Sequence, residues 1–335
     1  MMQILAVNPL EANFHLFDRF PKNLYPEGHN RLKLPDHLNS DYLDSCFIIV
    51  EDDKVLARAA LYCNPKLSYK GKNTWCIGNY EAEDNPGACF QLFQHVLAHA
   101  KENGAEYILG PMNGSTWDNY RLKVPGSHPD FFMEPCHHPY YHEHFTNANF
   151  EVAGRYFSSV DKNLRFDQPE VLAKEKSFLE QGVTFRNINL TEFEKELSDI
   201  YDFNLRAFQN NFLFTPISKE AFIKKYTLVK KFIDPNYVIL AEDKGQNLIG
   251  YFFCIDDHFN KENRSLIVKT LARHPHDQWK GMGHVIGNMI YRRAILEGYT
   301  SIIHALVFED ATSIRLSKNF SGEIFKNYIL YGKEL

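Results

Sequence analysis

The chain lacks the sequence features of several protein classes. No apolar run among its 335 residues approaches the length that crosses a membrane. The net charge of -5 provides no basic excess for nucleic acid or an anionic membrane. The dinucleotide fingerprint G-x-G-x-x-G and the P-loop pattern G-x-x-x-x-G-K-[ST] are also absent. We therefore expect a protein that binds neither nucleic acid nor a membrane.

The cysteines form no recognisable framework, and several lie within apolar runs. They are Cys46, Cys63, Cys76, Cys89, Cys136 and Cys254. This scatter favours small buried thiols in a reducing compartment over disulfides. The N-terminus contains Glu11 and lacks the basic start and long apolar core of a signal peptide. We therefore expect a cytoplasmic location.

The same pattern of elements occurs twice in the chain. It consists of a hairpin of apolar strands, a third strand, a loop, a helix that ends at a glycine, and another strand. The first copy of the pattern covers residues 47–109 and the second covers residues 237–307. Because 335 residues suit two typical cores better than one, we predict an α/β (α+β) fold with a mixed sheet in two copies.

The boundary between the copies is predicted where polar residues follow the last strand of the first copy, near residues 163–169. A helical segment then ends at Gly182. These signals predict domains at 1–165 and 182–335, joined by a connecting helix at 166–181.

The strongest functional signal is the stretch QWKGMGH at residues 278–284. It lies between a strand-like run at 265–271 and an amphipathic helix. Two glycines at such a turn let backbone N–H groups converge at the positive end of the helix dipole, which suits an anion. Lys280 and His284 add side-chain donors, and no acidic residue lies within the stretch. A purely structural turn is the competing interpretation.

Gln278, Gly281 and Gly283 follow the spacing Q/R-x-x-G-x-G/A, which resembles the pyrophosphate-binding loop of the GNAT acetyltransferase superfamily. The surrounding order of strands and helix is similar to a GNAT domain from its second strand to its fifth. Residues 110–116 (GPMNGST), Pro139-Tyr140-Tyr141 and residues 212–216 (FLFTP) resemble a bacterial group of tandem GNAT proteins, mostly uncharacterised. The resemblance covers nearly the whole chain and implies acetyl-CoA as the acyl donor.

The resemblance also implies which residues contact the cofactor, all of them in the second copy. They are Leu271, Ala272, Arg273, Gln278, Lys280, Gly281, Met282, Gly283, His284, Asp310 and Ser313. The superfamily usually has an Asn at the position of Asp310 and a proton-donating Tyr at the position of Ser317. Because serine is too weak an acid, the proton for the leaving thiolate would come from water, Tyr328 or Tyr331, or from no group at all.

Two residues are the catalytic candidates, Tyr331 as the acid and Asp257 as the base. Asp256, beside Asp257, is a further possible base. An Asp at the end of a hairpin is more often a turn cap than a base.

The first copy departs from the motif at the corresponding loop, residues 81–88 (EAEDNPGA). Its carboxylates would repel a diphosphate, and Pro86 removes a backbone donor. We infer that the first copy has no cofactor site. The acidic loop is interpreted as a solvated surface in preference to a cation site.

An insertion at residues 117–138 has no counterpart in the second copy. Its end carries Cys136, His137 and His138, and His142 and His144 follow nearby. Since these residues lack zinc-site spacing, no metal site is expected. A loop of this length is more often functional than idle, so we expect it to take part in acceptor recognition.

The sequence therefore predicts an acetyl-CoA-dependent N-acyltransferase. The amine of a small molecule or peptide would attack the thioester directly, with the acceptor in a cleft between the two copies. A CoA- or ligand-binding module without catalysis, and a tandem aminoacyl or long-chain acyl transferase, are the alternatives. The oligomeric state is not predicted.

Overall fold

The computed structural model describes residues 1–309 and 322–335, and its contacts divide the chain into two compact units. Unit one comprises Met1–Tyr156, Leu213–Thr215 and Lys326–Leu335, and unit two comprises Phe157–Phe212 and Pro216–Phe325. Each unit contains antiparallel and parallel strand pairs together with helices. The predicted α/β class with a mixed sheet is therefore confirmed. The boundaries drawn at 165 and 182 stay a prediction.

The sheet of unit one follows the predicted hairpin and central strand. Its strands are β1 (Gln3–Val7), β2 (Leu43–Glu51), β3 (Lys54–Tyr62), β4 (Ser68–Tyr69), β5 (Lys72–Ala82), β6 (Tyr107–Gly110), β7 (Leu122–Lys123) and the first part of β8 (Glu151–Asp161). The main order is β1-β2-β3-β5-β6, in which only β5 and β6 are parallel. Asp52 and Asp53 both have positive φ, which is the geometry of a two-residue hairpin turn between β2 and β3.

One long helix covers this sheet. The helices of unit one are α1 (His15–Asp18), α2 (Phe20–Leu24), α3 (Asn30–Lys33), α4 (Pro86–Glu102) and α5 (Tyr141–Asn147). One face of α4 is apolar and buried, and it includes Cys89, Phe93, Val96, Leu97 and Ala100. They pack with sheet residues such as Ile77 into one core. Burial of side chains of this size stabilises a fold by about 2 kcal/mol each.

Unit two repeats the arrangement. Its strands are the last part of β8, then β9 (Thr184–Asn187), β10 (Val238–Glu242), β11 (Leu248–Asp256), β12 (Ser265–Arg273) and β13 (Ser301–Phe308). Its helices are α6 (Pro169–Glu180), α7 (Phe193–Ala207), α8 (Lys219–Val229) and α9 (Met282–Leu296). The strand order is β9-β10-β11-β12-β13, and only β12 and β13 are parallel.

The core of unit two lies between this sheet and α9. The buried face of α9 carries Val285, Ile286 and Ile290, which are fully buried against Phe252 and Leu266 of the sheet. This face was predicted from the helical spacing of its apolar residues. Within residues 1–309 and 322–335, no helix combines the length and apolarity needed to cross a membrane.

The last strand of each unit comes from the other half of the sequence. β14 (Glu323–Glu334) contributes its later residues to unit one, where Tyr331 lies opposite Gly110 of β6. In unit two, the N–H of Leu306 in β13 donates to Ser158 Oγ of β8 over 2.9 Å. The C-terminal residues 326–335 therefore belong to the same unit as the N-terminal residues.

Candidate functional site

The loop after β12 makes a tight turn into α9. A 3-10 turn covers Asp277–Trp279, and the Trp279 side chain is buried. His276 Nδ1 accepts a hydrogen bond from the Gln278 N–H over 3.2 Å, which fixes the start of this turn. Gly281 then precedes the helix with φ of 95°. A side chain disfavours this left-handed conformation, so glycine is the residue that suits the position.

The first turn of α9 presents backbone donors that have no acceptor. The Gly281 carbonyl accepts from the N–H groups of His284 and Val285, at 3.0 and 3.2 Å. In the part of the chain that the structure describes, the N–H groups of Gly281, Met282 and Gly283 donate to no acceptor, and no side chain caps the helix. Adjacent donors at the positive end of a helix dipole form a geometry that binds anions.

The side chains in and next to the loop differ in whether they are exposed to a ligand or bonded to the loop backbone. Gln278 and Lys280 are exposed, so both are available to a ligand. Arg273 instead donates to the carbonyls of His274 and Pro275, at 2.8 and 3.3 Å, and so stabilises the loop. Burial lowers the pKa of His284, whose ring is therefore neutral at pH 7.

Three of the predicted cofactor residues serve the site through their backbone or their packing. The Met282 side chain is fully buried in the core, which leaves only its N–H for a ligand. A Cβ on Gly283 would lie 3.2 Å from a methyl group of Leu271, so this glycine lets the helix approach the strand closely. Ala272 is also buried and lies opposite Tyr251 of β11.

The parallel ladder between β12 and β13 covers only part of either strand. It joins residues 265–268 to residues 301–304, and its last pair is Val268 with His304. β12 continues to Arg273 and β13 to Phe308 with no further ladder pair between them in the described residues. The edge of β12 after Val268 therefore leads from the end of the ladder towards the glycine loop.

A buried hydrogen bond lies at the end of this ladder. His304 Nε2 is 2.9 Å from the hydroxyl of Tyr291 on α9, and both side chains are buried. Burial lowers the pKa of His304 to about 4, so its imidazole is neutral at pH 7. This pair was not predicted from the sequence, because a single His in an apolar strand is ordinarily a core residue.

The helix α6 packs against the glycine loop. Phe178 of α6 is fully buried, with its ring centroid 6.2 Å from that of Trp279 in the loop. Asp167, just before α6, is hydrogen-bonded to Asn288 and forms an ion pair with Arg292, and both partners are on α9. The connecting helix thus supports the loop from within unit two.

One curated protein is similar to this chain in sequence. Protein YghO of Escherichia coli (strain K12) is 22% identical over an alignment of 251 residues that covers 71% of this chain. The chain spans 63% of that relative, less than two thirds of its length. No protein-family model matches the chain.

Solved structures match the chain over its whole length. A GCN5-related N-acetyltransferase from Sphaerobacter thermophilus has a TM-score of 0.54 at 13% identity, over 99% of this chain and 95% of that one. A tandem GNAT protein from the clavulanic acid biosynthesis pathway has a TM-score of 0.53 at 9% identity, over 100% and 98%. The fold is that of a tandem GNAT protein. At these identities the similarity extends to the fold alone.

In the described residues, the helix start of the first copy has fewer N–H groups without an acceptor than that of the second. α4 begins at Pro86, which has no N–H, and Asn85 Oδ1 accepts from the Ala88 N–H over 3.0 Å. This N-cap occupies a donor that an anion would otherwise use. That the first copy has no cofactor site stays a prediction.

The prediction of a solvated acidic loop is wrong for Glu81. This residue belongs to β5 and is 2% exposed. Its carboxylate accepts from Arg31 Nε at 2.5 Å and from the hydroxyls of Tyr25 and Tyr141, each at 2.8 Å. The sequence could not indicate this, because Arg31 lies far from Glu81 along the chain. The charge is compensated inside the core, where an unpaired carboxylate would be costly.

The GPMNGST segment is hydrogen-bonded to β5 just beyond the end of the β5–β6 ladder. That ladder stops at Cys76 with Leu109. Met112 then donates its N–H to the Ile77 carbonyl over 2.7 Å, and Asn113 Oδ1 accepts from the Asn79 N–H over 2.9 Å. In the first copy, Met112 and Asn113 therefore make hydrogen bonds to backbone groups at the edge of the central strand β5.

Two sequence segments that resemble tandem GNAT proteins meet in unit one. Asn64 Nδ2 donates to the Gly114 carbonyl at 2.9 Å and to Thr215 Oγ1 at 3.1 Å. Trp117 Nε1 donates to the Thr215 carbonyl at 2.8 Å. The GPMNGST segment and part of the FLFTP segment are thus held together by hydrogen bonds, although a long stretch of sequence separates them.

Each catalytic candidate is engaged in hydrogen bonds within its own unit. The Asp257 carboxylate accepts from the Phe259 N–H and from Asn260 Nδ2, at 3.1 and 2.6 Å, as a turn cap does. Tyr331 belongs to unit one, where its hydroxyl lies 2.9 Å from His142 Nδ1. Asp310, Ser313 and Ser317 lie outside the described residues. The catalytic roles of Tyr331 and Asp257 stay predictions.

The insertion is tied to the last strand of unit one. Glu134 forms an ion pair with Lys326 of β14 at 2.6 Å and accepts from the Tyr328 hydroxyl at 2.6 Å. Lys123 of the insertion forms a second ion pair with Asp130. The insertion is therefore an integrated part of the unit, held by buried charges.

The Cys/His cluster of the insertion is engaged in separate hydrogen bonds. Cys136 Sγ donates to Asp130 at 3.2 Å, and His137 Nε2 accepts from the Lys123 N–H at 2.6 Å. His144 Nδ1 is 2.9 Å from the Tyr80 hydroxyl. Among residues 1–309 and 322–335, no group of three or more His, Cys, Asp or Glu side chains is arranged to hold a metal ion.

Proposed function

We propose that the chain is an acetyl-CoA-dependent N-acyltransferase whose second copy holds the acyl donor. The observation that supports this most concerns the N–H groups of Gly281, Met282 and Gly283, which have no acceptor among residues 1–309 and 322–335, within a fold shared with GNAT proteins. A diphosphate carries the charge and the acceptor oxygens that such donors bind. The bound cofactor would supply an acetyl thioester.

The charges around the loop favour an anionic ligand. Lys280 is exposed between the last 3-10 residue and Gly281, and no carboxylate lies between it and His284. Beyond the described ladder with β13, residues 270–273 of β12 offer a strand edge along which the arm of the cofactor can lie. Together these features suit a ligand with a phosphate end and an extended, amide-containing arm.

We propose direct attack of the amine on the thioester. A covalent intermediate needs a nucleophile at the site, and Cys254 is a poor one. Its thiol is fully buried in β11, and burial raises its pKa well above the usual range. The remaining tasks are to orient the two reactants, polarise the carbonyl and move one proton from nitrogen to sulfur.

A second candidate is a CoA-binding protein without catalysis. It is favoured by one observation, namely that Asp257 caps a turn and Tyr331 belongs to the core of unit one. Both residues thereby have structural contacts that require no catalytic role. This candidate and an enzyme share the cofactor site and differ in turnover. The place of the acceptor stays a prediction from the sequence.

Turnover distinguishes the candidates. We expect the chain to release free CoA from acetyl-CoA when an accepted amine is present, as measured with a thiol reagent across amines, amino acids and peptides. Aminoacyl and long-chain acyl donors tested in parallel identify the donor class. Binding of acetyl-CoA without release of CoA for any acceptor would favour the binding protein. Failure to bind acetyl-CoA would contradict both.

A further inference from the structure

Lys174 of α6 lies against the glycine that begins the anion-binding turn. A Cβ on Gly281 would be 3.3 Å from Lys174 Cγ and 3.4 Å from Lys174 Cε. The aliphatic part of the lysine therefore runs along the loop backbone. Its ammonium group lies 4.9 Å from the ring centroid of Phe178, which is itself packed near Trp279 of the loop. The side chain is thus held beside the turn by contacts at both ends.

The charge of Lys174 is not compensated within the described residues. It forms no ion pair or hydrogen bond there, whereas Lys176 on the same helix pairs with Glu180. The neighbouring carboxylate, Glu175, lies 3.7 Å from the guanidinium of Arg292. A half-buried lysine without a carboxylate partner contributes positive potential to the place where Gly281, Met282 and Gly283 present their N–H groups.

We propose that Lys174 is a phosphate ligand of the acyl-CoA donor, an inference that rests on the proposed function. An ammonium group on a flexible stem is suited to pair with phosphate as a point charge. Because the stem is packed on Gly281, less side-chain entropy is lost when the phosphate binds. The helix that connects the two copies in sequence is then part of the cofactor site.

The test uses full-length variants that alter only this charge. Lys174→Met keeps the stem, Lys174→Glu reverses the charge and Lys174→Arg retains it, while Lys176→Met is the matched control. We expect Lys174→Met to raise the Kd for CoA about fivefold and Lys174→Glu to raise it further. Lys174→Arg and Lys176→Met should bind like the wild type. Calorimetry measures the Kd, and melting temperatures verify that each variant is folded.

A parallel titration with 3′-dephospho-CoA identifies which phosphate is contacted. An effect of Lys174→Met on CoA alone assigns the 3′-phosphate, and an equal effect on both ligands assigns the diphosphate. Either result supports the proposal. A folded Lys174→Glu variant that binds CoA as tightly as the wild type overturns it. If the wild type itself does not bind CoA, the proposed function fails, which is a distinguishable result.

Discussion

Replacing Gly283 with Asp is expected to weaken acetyl-CoA binding by about 100-fold or more. The new carboxylate would lie in the first turn of α9, beside the N–H groups proposed to hold the diphosphate. Like charges at close range in a partly buried site repel by several kcal/mol. Calorimetric titration of the purified variant with acetyl-CoA measures the effect.

Where the Asp variant and an uncharged Asn variant have the same melting temperature, a loss of binding that is specific to Asp can be assigned to charge. An acidic residue in the first turn of a helix interacts favourably with the helix dipole. The added Cβ would require the Leu271 methyl groups, 3.2 and 3.3 Å away, to move slightly. Gly283→Asn introduces the same shape without the charge and is therefore the matched control. Equal affinities of the Asp and Asn variants would show that the loop does not bind the diphosphate.

Replacing Glu134 with Ala is expected to lower the free energy of unfolding by about 3 kcal/mol. Glu134 and Lys326 are 0% and 5% exposed in their side chains, and their charged atoms are 2.6 Å apart. Removing the carboxylate leaves a buried ammonium group and deprives Tyr328 of its acceptor. Urea unfolding followed by fluorescence measures the change.

An exposed ion pair in the same unit provides the comparison. Lys54 pairs with Glu83 at 2.7 Å, with side chains 64% and 33% exposed. Lys54→Ala should cost at most about 1 kcal/mol because solvent screens such pairs. If Glu134→Ala and Lys54→Ala unfold at the same urea concentration, the buried pair does not hold the insertion to β14.

The repeated elements could be predicted because local patterns encode them. The predicted strand at 265–271 is observed as β12 (Ser265–Arg273), and a helix, α6 (Pro169–Glu180), is observed within the predicted connecting helix at 166–181. Apolar periodicity and glycine or proline at the ends are sufficient for such elements. The left-handed Gly281 was likewise foreseeable from its place between a strand and a helix.

Pairings between distant parts of the sequence could not be predicted. Nothing in the residues around Tyr331 indicates that β14 pairs with Gly110 of β6. The same holds for Glu81, which was assigned to solvent although Arg31 compensates its charge in the core. Lys174 was overlooked because its partner in space is a glycine loop more than a hundred residues later. Each of these contacts follows from tertiary packing and leaves no periodic signal.

One acyl donor per chain is expected, bound by the second of the two copies. The first copy satisfies the edge of β5 with Met112 and Asn113 and caps α4 with Asn85, whereas the donors at Gly281–Gly283 of the second copy have no acceptor in the described part of the chain. Calorimetric titration of the full-length chain with acetyl-CoA tests this claim directly. We predict one site per chain, lost in Gly283→Asp and retained in Gly283→Asn. Two sites per chain, or no binding at all, would contradict it.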